Sequence, residues 1–301
     1  MIKVLKERLK EEHAGFSGVT HWLIAVCLFF LMWLLPIAWS QNYVAEVGKS
    51  GLFAFIVFLV VGGASLLPDL DSSPLQEGGS TAVYQLGFLG QLLSLGCITI
   101  SGVIWSVLHT SQDQKPPSQH RMLFHAPVVG LSVFLLNQFA YPASENCASD
   151  VGFNKIPFTV YMVLFLGAVS IYLGASMFFY RVLSLIHKQK HTQIFCWIFM
   201  LLGLWQMWTM PWYRLKLVGS GVALGYLFHI LGDMFSKGSA PLFFPIPTPV
   251  KTGKGIKWRL WWKPYPFGGK FAIETGGAIN TILNFLLIGV DLALAWFIFI
   301  R

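Results

Sequence analysis

The chain has 301 residues, of which 55% are hydrophobic and only 11% charged, and its mean hydropathy is +0.63. A soluble domain carries about a quarter charged residues, so this composition excludes an ordinary water-soluble globule. The sequence has no internal repeat, low-complexity tract or cysteine framework, which excludes solenoids, disordered chains and disulfide scaffolds. We therefore predict an all-α, polytopic transmembrane helical bundle that forms a single domain over residues 1–301.

Apolar runs long enough to cross a bilayer recur along the chain after a charged amphipathic segment at residues 1–18. A spanning helix needs about 20 predominantly apolar residues. Pro36 interrupts the first run near its end, and Pro68 ends the second, because proline disfavours helix at the residue that precedes it. The predicted spans are residues 19–39, 51–67, 126–141, 157–186, 194–212, 215–235 and 276–300, and a further apolar run covers residues 83–108.

The net charge of +8 arises largely from short basic segments between the apolar runs. Such segments indicate membrane topology rather than a nucleic-acid-binding surface. They precede the first span, include Lys188 and Lys190, and fill a loop at residues 236–275. The positive-inside rule places them in the cytoplasm, so we predict a multi-pass membrane protein with a cytoplasmic N-terminus. The lipid bilayer is then its surrounding partner, and no nucleic acid is expected.

Histidines and aspartates recur at the predicted cytoplasmic ends of the spans. His229 and Asp233 are four residues apart, so on a helix they share one face. Gly221 and Gly225 continue that face and let a neighbouring backbone approach closely. A charged side chain inside a span costs about 2.5–3.5 kcal/mol on insertion scales, which favours a functional role over a bracing pair. The seven candidate ligands on this membrane face are His21, Asp69, Asp71, His120, His125, His229 and Asp233.

The shared face depends on the path of residues 83–108. A single crossing there would separate His120 and His125 from the other candidate ligands. We therefore predict that this run is re-entrant or lies along the interface, buried against protein as irregular membrane segments must be.

Imidazole with carboxylate is the ligand mixture that suits Zn, Mn or Fe, so we predict a divalent metal site with zinc as the leading candidate. Seven candidate ligands leave room for two metals or for one metal with a supporting shell. Asp69 and Asp71 are both candidate ligands; alternatively, one ligates while the other orients a histidine. Convergence of the two on one centre requires the segment after Pro68 to turn. Arg121 is either an interface anchor or a clamp for the anionic group of a substrate.

In these motifs the sequence resembles the YdjM-like family of bacterial membrane-bound metal-dependent hydrolases, also described as LexA-binding inner-membrane proteins. The resemblance covers about residues 18–275. The chain departs from the family at Ser72-Ser73, where relatives often carry His-Pro, and at Met122 and Ala126, where Gly and Ser are usual. The matching motifs are Thr20-His21, PDLD ending at Asp71, HRMLFH ending at His125, GYLFH ending at His229 with Asp233, and SKGSAPLFFP ending at Pro245.

The resemblance implies a metal-dependent hydrolase without naming its substrate. We expect metal-activated water to attack an ester or phosphoester, with a lipid-related molecule reaching the site from the bilayer. Asp71, Arg121 and Glu274 are the expected catalytic residues, and Glu274 is similar to a family carboxylate that follows a glycine-containing loop. The resemblance also implies that the protein lies in the bacterial inner membrane. One alternative is a metal or ion transporter, whose ligands would spread through the membrane depth. Another is a structural membrane protein whose His and Asp residues only brace helices.

Overall fold

The computed structural model describes residues 18–71, 81–109, 123–139, 155–183, 189–236, 240–252, 255–259 and 278–299. This part of the chain forms ten α-helices, two short 3-10 turns and one β-hairpin, so the predicted all-α class is confirmed. The helices are α1 (Gly18–Leu31), α2 (Ala38–Gly48), α3 (Gly51–Ala64), α4 (Thr81–Leu86), α5 (Phe88–Leu108), α6 (Pro127–Phe139), α7 (Phe158–Leu183), α8 (Gln189–Thr209), α9 (Trp212–Phe235) and α10 (Ala278–Phe299). The turns are the Asp turn (Pro68–Asp71) and the His turn (Leu123–His125), and the hairpin strands are β1 (Thr248–Thr252) and β2 (Gly255–Arg259).

Five helical stretches of the described residues are long and apolar enough to cross a membrane. Three predicted spans fall short of this: α1 has 14 residues and ends before Pro36, α6 has 13 residues, and α8 begins with the polar stretch QKHTQ. The apolar helices support a membrane protein, whereas its orientation and the bacterial inner membrane stay predictions. The five stretches are Gly51–Asp71, Phe88–Leu108, Phe158–Phe179, Trp212–Phe235 and Ile279–Ile298.

The apolar run at residues 83–108 is split at Gly87, whose φ of 57° lies in the left-handed region that favours glycine. The six-residue helix α4 precedes this glycine, and the unbroken 21-residue helix α5 follows it. Helix α5 packs against both the Asp turn and the His turn. Because Asp71 and His125 are hydrogen-bonded, the chain returns after this run to the place that it left. The predicted common face of the candidate ligands requires this return, and the re-entrant path stays a prediction. The expected burial of this run against protein is wrong for α5, since Gly90, Ser94 and Ser101 are the only buried residues of that helix.

The contacts within the chain divide it into two compact units, each built from three separate stretches. Helices α1, α6, α9 and α10 each have residues in both units, and the single domain stays a prediction. The first unit contains both turns and the hairpin, and it comprises Met1–Thr20, Pro68–Val129 and His229–Phe285. The second unit comprises His21–Leu67, Gly130–Phe228 and Leu286–Arg301.

Glycines allow helices of the second unit to pack backbone to backbone. A Cβ atom added at Gly63 of α3 would overlap the carbonyl oxygen of Ser170 in α7. A Cβ atom added at Gly225 of α9 would overlap the carbonyl oxygen of Val61 in α3. The close backbone approach predicted at Gly225 is therefore confirmed, and it occurs one helical turn before His229.

We expect Gly225→Ala to destabilise the protein, because the added methyl group would overlap the Val61 carbonyl. Overpacking of this kind costs about 1–3 kcal/mol. Thermal unfolding in detergent, followed by circular dichroism, should show a lower midpoint temperature than for the wild type. Gly289→Ala is the matched control, because a Cβ atom added there meets nothing within 4 Å. Equal midpoints for the two variants would contradict the tight contact between α3 and α9.

Candidate metal centre

The Asp turn places two carboxylates inside the first unit. Pro68 has no backbone N–H with which to continue the hydrogen bonds of α3, and the chain bends into a tight 3-10 turn at this residue. All four residues of the turn are buried; Asp71 is fully buried and Asp69 is 7% exposed. The bend that these two aspartates require is therefore present.

Helix α9 presents His229 and Asp233 from the same face, as their spacing predicted. The Nε2 atom of His229 lies 3.4 Å from Oδ2 of Asp233, and both side chains are fully buried. The same Nε2 atom lies 3.7 Å from Oδ1 of Asp69 in the Asp turn. Two distant parts of the sequence thus converge within the first unit.

The imidazole ring of His125, at the end of the His turn, lies among three carboxylates. Its Nδ1 atom donates a hydrogen bond to Oδ2 of Asp71 at 3.3 Å. Its Nε2 atom lies 3.5 Å from Oδ1 of Asp69 and 3.5 Å from Oδ2 of Asp233. The ring meets that of His229 edge to face, with centroids 4.9 Å apart. The geometry therefore matches the arrangement in which Asp69 ligates an ion while Asp71 orients the histidine.

Four of these atoms lie close together: Oδ1 of Asp69, Oδ2 of Asp233, and the Nε2 atoms of His125 and His229. The four nitrogen–oxygen distances among them are 3.4–3.7 Å. In a tetrahedral site with metal–ligand bonds of about 2.0–2.1 Å, neighbouring ligand atoms are about 3.4 Å apart. The buried His/Asp cluster therefore has both the donor atoms and the spacing to hold a metal ion.

Burial makes the negative charge of this cluster energetically unfavourable. Its three carboxylates have little or no access to solvent, and an isolated buried charge is strongly unfavourable. Burial lowers the pKa of the His125 ring, but the surrounding carboxylates raise it more strongly, and the resulting pKa is about 9. Without a cation, His125 is therefore protonated at neutral pH and offsets part of the negative charge. A divalent cation would replace that proton and offset more of the charge.

The structure brings together five of the predicted site residues within the first unit. His21 is fully buried near the start of α1, in the second unit, and its membership of the centre stays a prediction. His120, Arg121 and Glu274 lie outside the residues that the structure describes. The five residues that meet are Asp69, Asp71, His125, His229 and Asp233.

The sequence analysis did not identify two positions at which a cysteine lies close to an aspartate. In the second unit, Asp291 of α10 is only 7% exposed and lies beside the thiol of Cys27. A single aspartate in an apolar helix of 22 residues is a signal that could have identified it, because such a charge is costly in a membrane. In the first unit, Cys97 of α5 lies near the carboxylate of Asp71. Nothing in the spacing of these two residues along the sequence predicts that they are close.

Comparison with known proteins adds no assignment: no protein-family model, curated protein or solved structure matches the chain. The resemblance to the YdjM-like family therefore stays a prediction. Two statements rest on the residues of the chain itself, namely the apolar helices of spanning length and the buried His/Asp cluster that could hold a metal ion.

We expect the purified protein to contain a divalent metal that His229→Ala removes, because this substitution deletes one of the four converging donor atoms. Asp71→Asn should keep the full metal content at saturation but weaken affinity about 10–100-fold, the usual effect of losing a partner that orients a ligand. Elemental analysis and competition with a chelator measure the two quantities.

The matched control is His109→Ala. His109 is an exposed histidine directly after α5, and its ring hydrogen-bonds to the Trp105 carbonyl. The metal content and affinity of this variant should equal those of the wild type. A metal content unchanged by His229→Ala would show that the cluster is not the metal centre.

Proposed function

We propose that the chain is a membrane-bound, metal-dependent hydrolase of the bacterial inner membrane, similar in activity to the YdjM-like family. One observation carries the proposal: donor atoms of Asp69, His125 and His229 lie within 4.8 Å of one another, and Oδ2 of Asp233 lies 3.4–3.5 Å from Nε2 of both histidines. A bracing role does not require this arrangement, since one hydrogen-bonded pair is enough to hold two elements together.

Zinc is the metal that we assign first, with manganese and iron as alternatives, because two imidazoles and two carboxylates suit all three. When bound, such an ion would supply a water molecule whose pKa is lowered to about 7 and would polarise the oxygen of an ester or phosphoester. The chain supplies the anionic and neutral donors that hold the ion in a buried site.

Asp71 acts in this proposal as a positioning residue. Its carboxylate accepts the Nδ1 proton of His125, which fixes the tautomer whose Nε2 lone pair faces the other donor atoms. Arg121 is assigned to the anionic group of the substrate, because a guanidinium matches the geometry of a phosphate. His21 and His120 are assigned as further ligands, and Glu274 as a further carboxylate of the site.

The substrate that we assign is an ester or phosphoester of a lipid. The support is the location of the cluster, since α5 packs against both turns and is itself apolar and long enough to cross a bilayer. A lipid substrate would reach such a site without leaving the membrane. We place the site on the cytoplasmic side, as the distribution of basic segments predicts.

A closed structural metal site is the second candidate, and the number of converging donors favours it. Structural zinc is held by four protein ligands, whereas catalytic zinc usually keeps three and leaves one position to water. The two candidates share their metal content and differ in activity. A transporter has less support, because an ion path spreads its ligands through the membrane depth and the donors described here gather within a few ångströms.

We expect the wild type, purified in detergent or reconstituted in liposomes, to hydrolyse at least one of three chromogenic probes. The probes are p-nitrophenyl butyrate, p-nitrophenyl phosphate and bis(p-nitrophenyl) phosphate. A chelator should abolish the activity, and zinc or manganese should restore it. Asp233→Ala should reduce kcat/KM at least about 100-fold, because the loss of a donor atom disturbs the ion that activates water. His109→Ala should retain full activity.

Three results would contradict the metal-dependent hydrolase. Metal-replete protein that is inactive on all three probes and on phospholipid vesicles would indicate the structural site. Uptake of zinc into liposomes that depends on His229, measured with an enclosed fluorescent zinc indicator, would indicate a transporter. Activity that survives complete removal of the metal would exclude the metal-dependent mechanism.

A further inference from the structure

The β-hairpin of the first unit has one exposed face and one face that is partly covered. Residues that pair directly across an antiparallel hairpin point to the same side. Two of the pairs are exposed and the two that alternate with them are half-buried, so the hairpin packs by one side only. The exposed pairs are Pro249–Trp258 and Lys251–Ile256, and the half-buried pairs are Thr248–Arg259 and Val250–Lys257.

The exposed face combines large apolar side chains with a lysine. Ile256 is 69% exposed and Trp258 is 55% exposed, and Ile246, which precedes β1, is 66% exposed. Lys251 lies beside Ile256 across the two strands. Apolar surface of this kind is unfavourable in water, whereas tryptophan, together with lysine, is typical of the membrane–water interface.

The segment that contains the hairpin is strongly basic. Residues 234–273 include seven lysines and arginines and no aspartate or glutamate. Three of the seven lie in the two strands of the hairpin: Lys251, Lys257 and Arg259. A cluster of this sign and density attracts anionic surfaces, and anionic lipids give a membrane surface the opposite charge.

The chain that leads into the hairpin is fixed beside the His turn. Phe244 packs with Leu123 and Ala126 in a small hydrophobic cluster of the first unit. These two residues lie on either side of His125 in the sequence, so the packing of Phe244 ties the basic segment to the part of the chain that supplies a donor to the candidate metal centre. The packing of Phe244 therefore connects the chain before the hairpin to the core of the first unit.

We propose that the hairpin at residues 248–259 is a binding site for the headgroups of anionic phospholipids in the membrane that its own apolar helices occupy. Ile256 and Trp258 enter the interfacial layer of that membrane. Lys251, on the same face, contacts the lipid phosphates, which accept hydrogen bonds from its ammonium group, and Lys257 and Arg259 add positive charge close to the membrane surface. The assignment rests on the hairpin and its charge, and it does not require that the metal centre be a hydrolase.

Photo-crosslinking in nanodiscs tests the proposal with the full chain. p-Benzoylphenylalanine replaces Ile256, and the discs contain equal amounts of phosphatidylglycerol and phosphatidylcholine. After irradiation, intact-mass analysis identifies what is attached. We expect phosphatidylglycerol adducts to exceed phosphatidylcholine adducts at least threefold, and the excess should fall in 0.5 M NaCl because salt screens the attraction. The same probe at Val250, on the half-buried face, should give few lipid adducts.

Two charge variants complete the experiment. Replacing Lys251, Lys257 and Arg259 by glutamine should remove the preference for phosphatidylglycerol. The matched triple variant Lys49→Gln, Lys155→Gln, Lys216→Gln removes equal charge elsewhere and should keep the preference. If the first variant fails to fold, the salt dependence of the wild type still decides. Adducts in the proportion of the disc lipids, crosslinked pairs of chains, or an absence of lipid adducts would each overturn the proposal.

Discussion

Three buried carboxylates can share a small region of a protein only if positive charge lies among them. In the first unit, imidazole rings lie among the carboxylates. His125 contacts all three aspartates, and His229 contacts two of them. The raised pKa of His125 expresses the same constraint, since the carboxylates stabilise its charged form. A divalent cation satisfies the constraint more completely than one proton, and the donor spacing suits such an ion.

Local backbone features position these charges. Pro68 starts the turn that buries two carboxylates, and the four-residue spacing on α9 aligns His229 with Asp233. Gly225, one turn earlier on the same helix, lets α9 approach the backbone of α3. Each feature is ordinary by itself. Together they bring the nitrogen and oxygen donor atoms of the cluster to within 3.4–3.7 Å of one another.

The sequence predicted those parts of the site that depend on local periodicity. The shared face of His229 and Asp233 follows from 3.6 residues per turn, and the requirement for a bend after Pro68 follows from the alternation of side chains. Which ring nitrogen of His125 each of Asp69 and Asp71 meets could not be predicted, because that depends on how two distant stretches of chain pack together. The short length of α1 shows a related limit, since hydropathy continued through Pro36 although the helix ended at Leu31.

The donor set comes from three stretches of chain that are far apart in sequence: the Asp turn, the His turn and the end of α9. An ion coordinated by all three would act as a cross-link, in the way that a disulfide does, by restricting the unfolded chain across two long loops. Removal of the ion would then lower the stability of the folded protein as well as remove the bound metal. A cell short of the metal would hold a less durable protein, open to proteolysis at the stretches that the ion had joined.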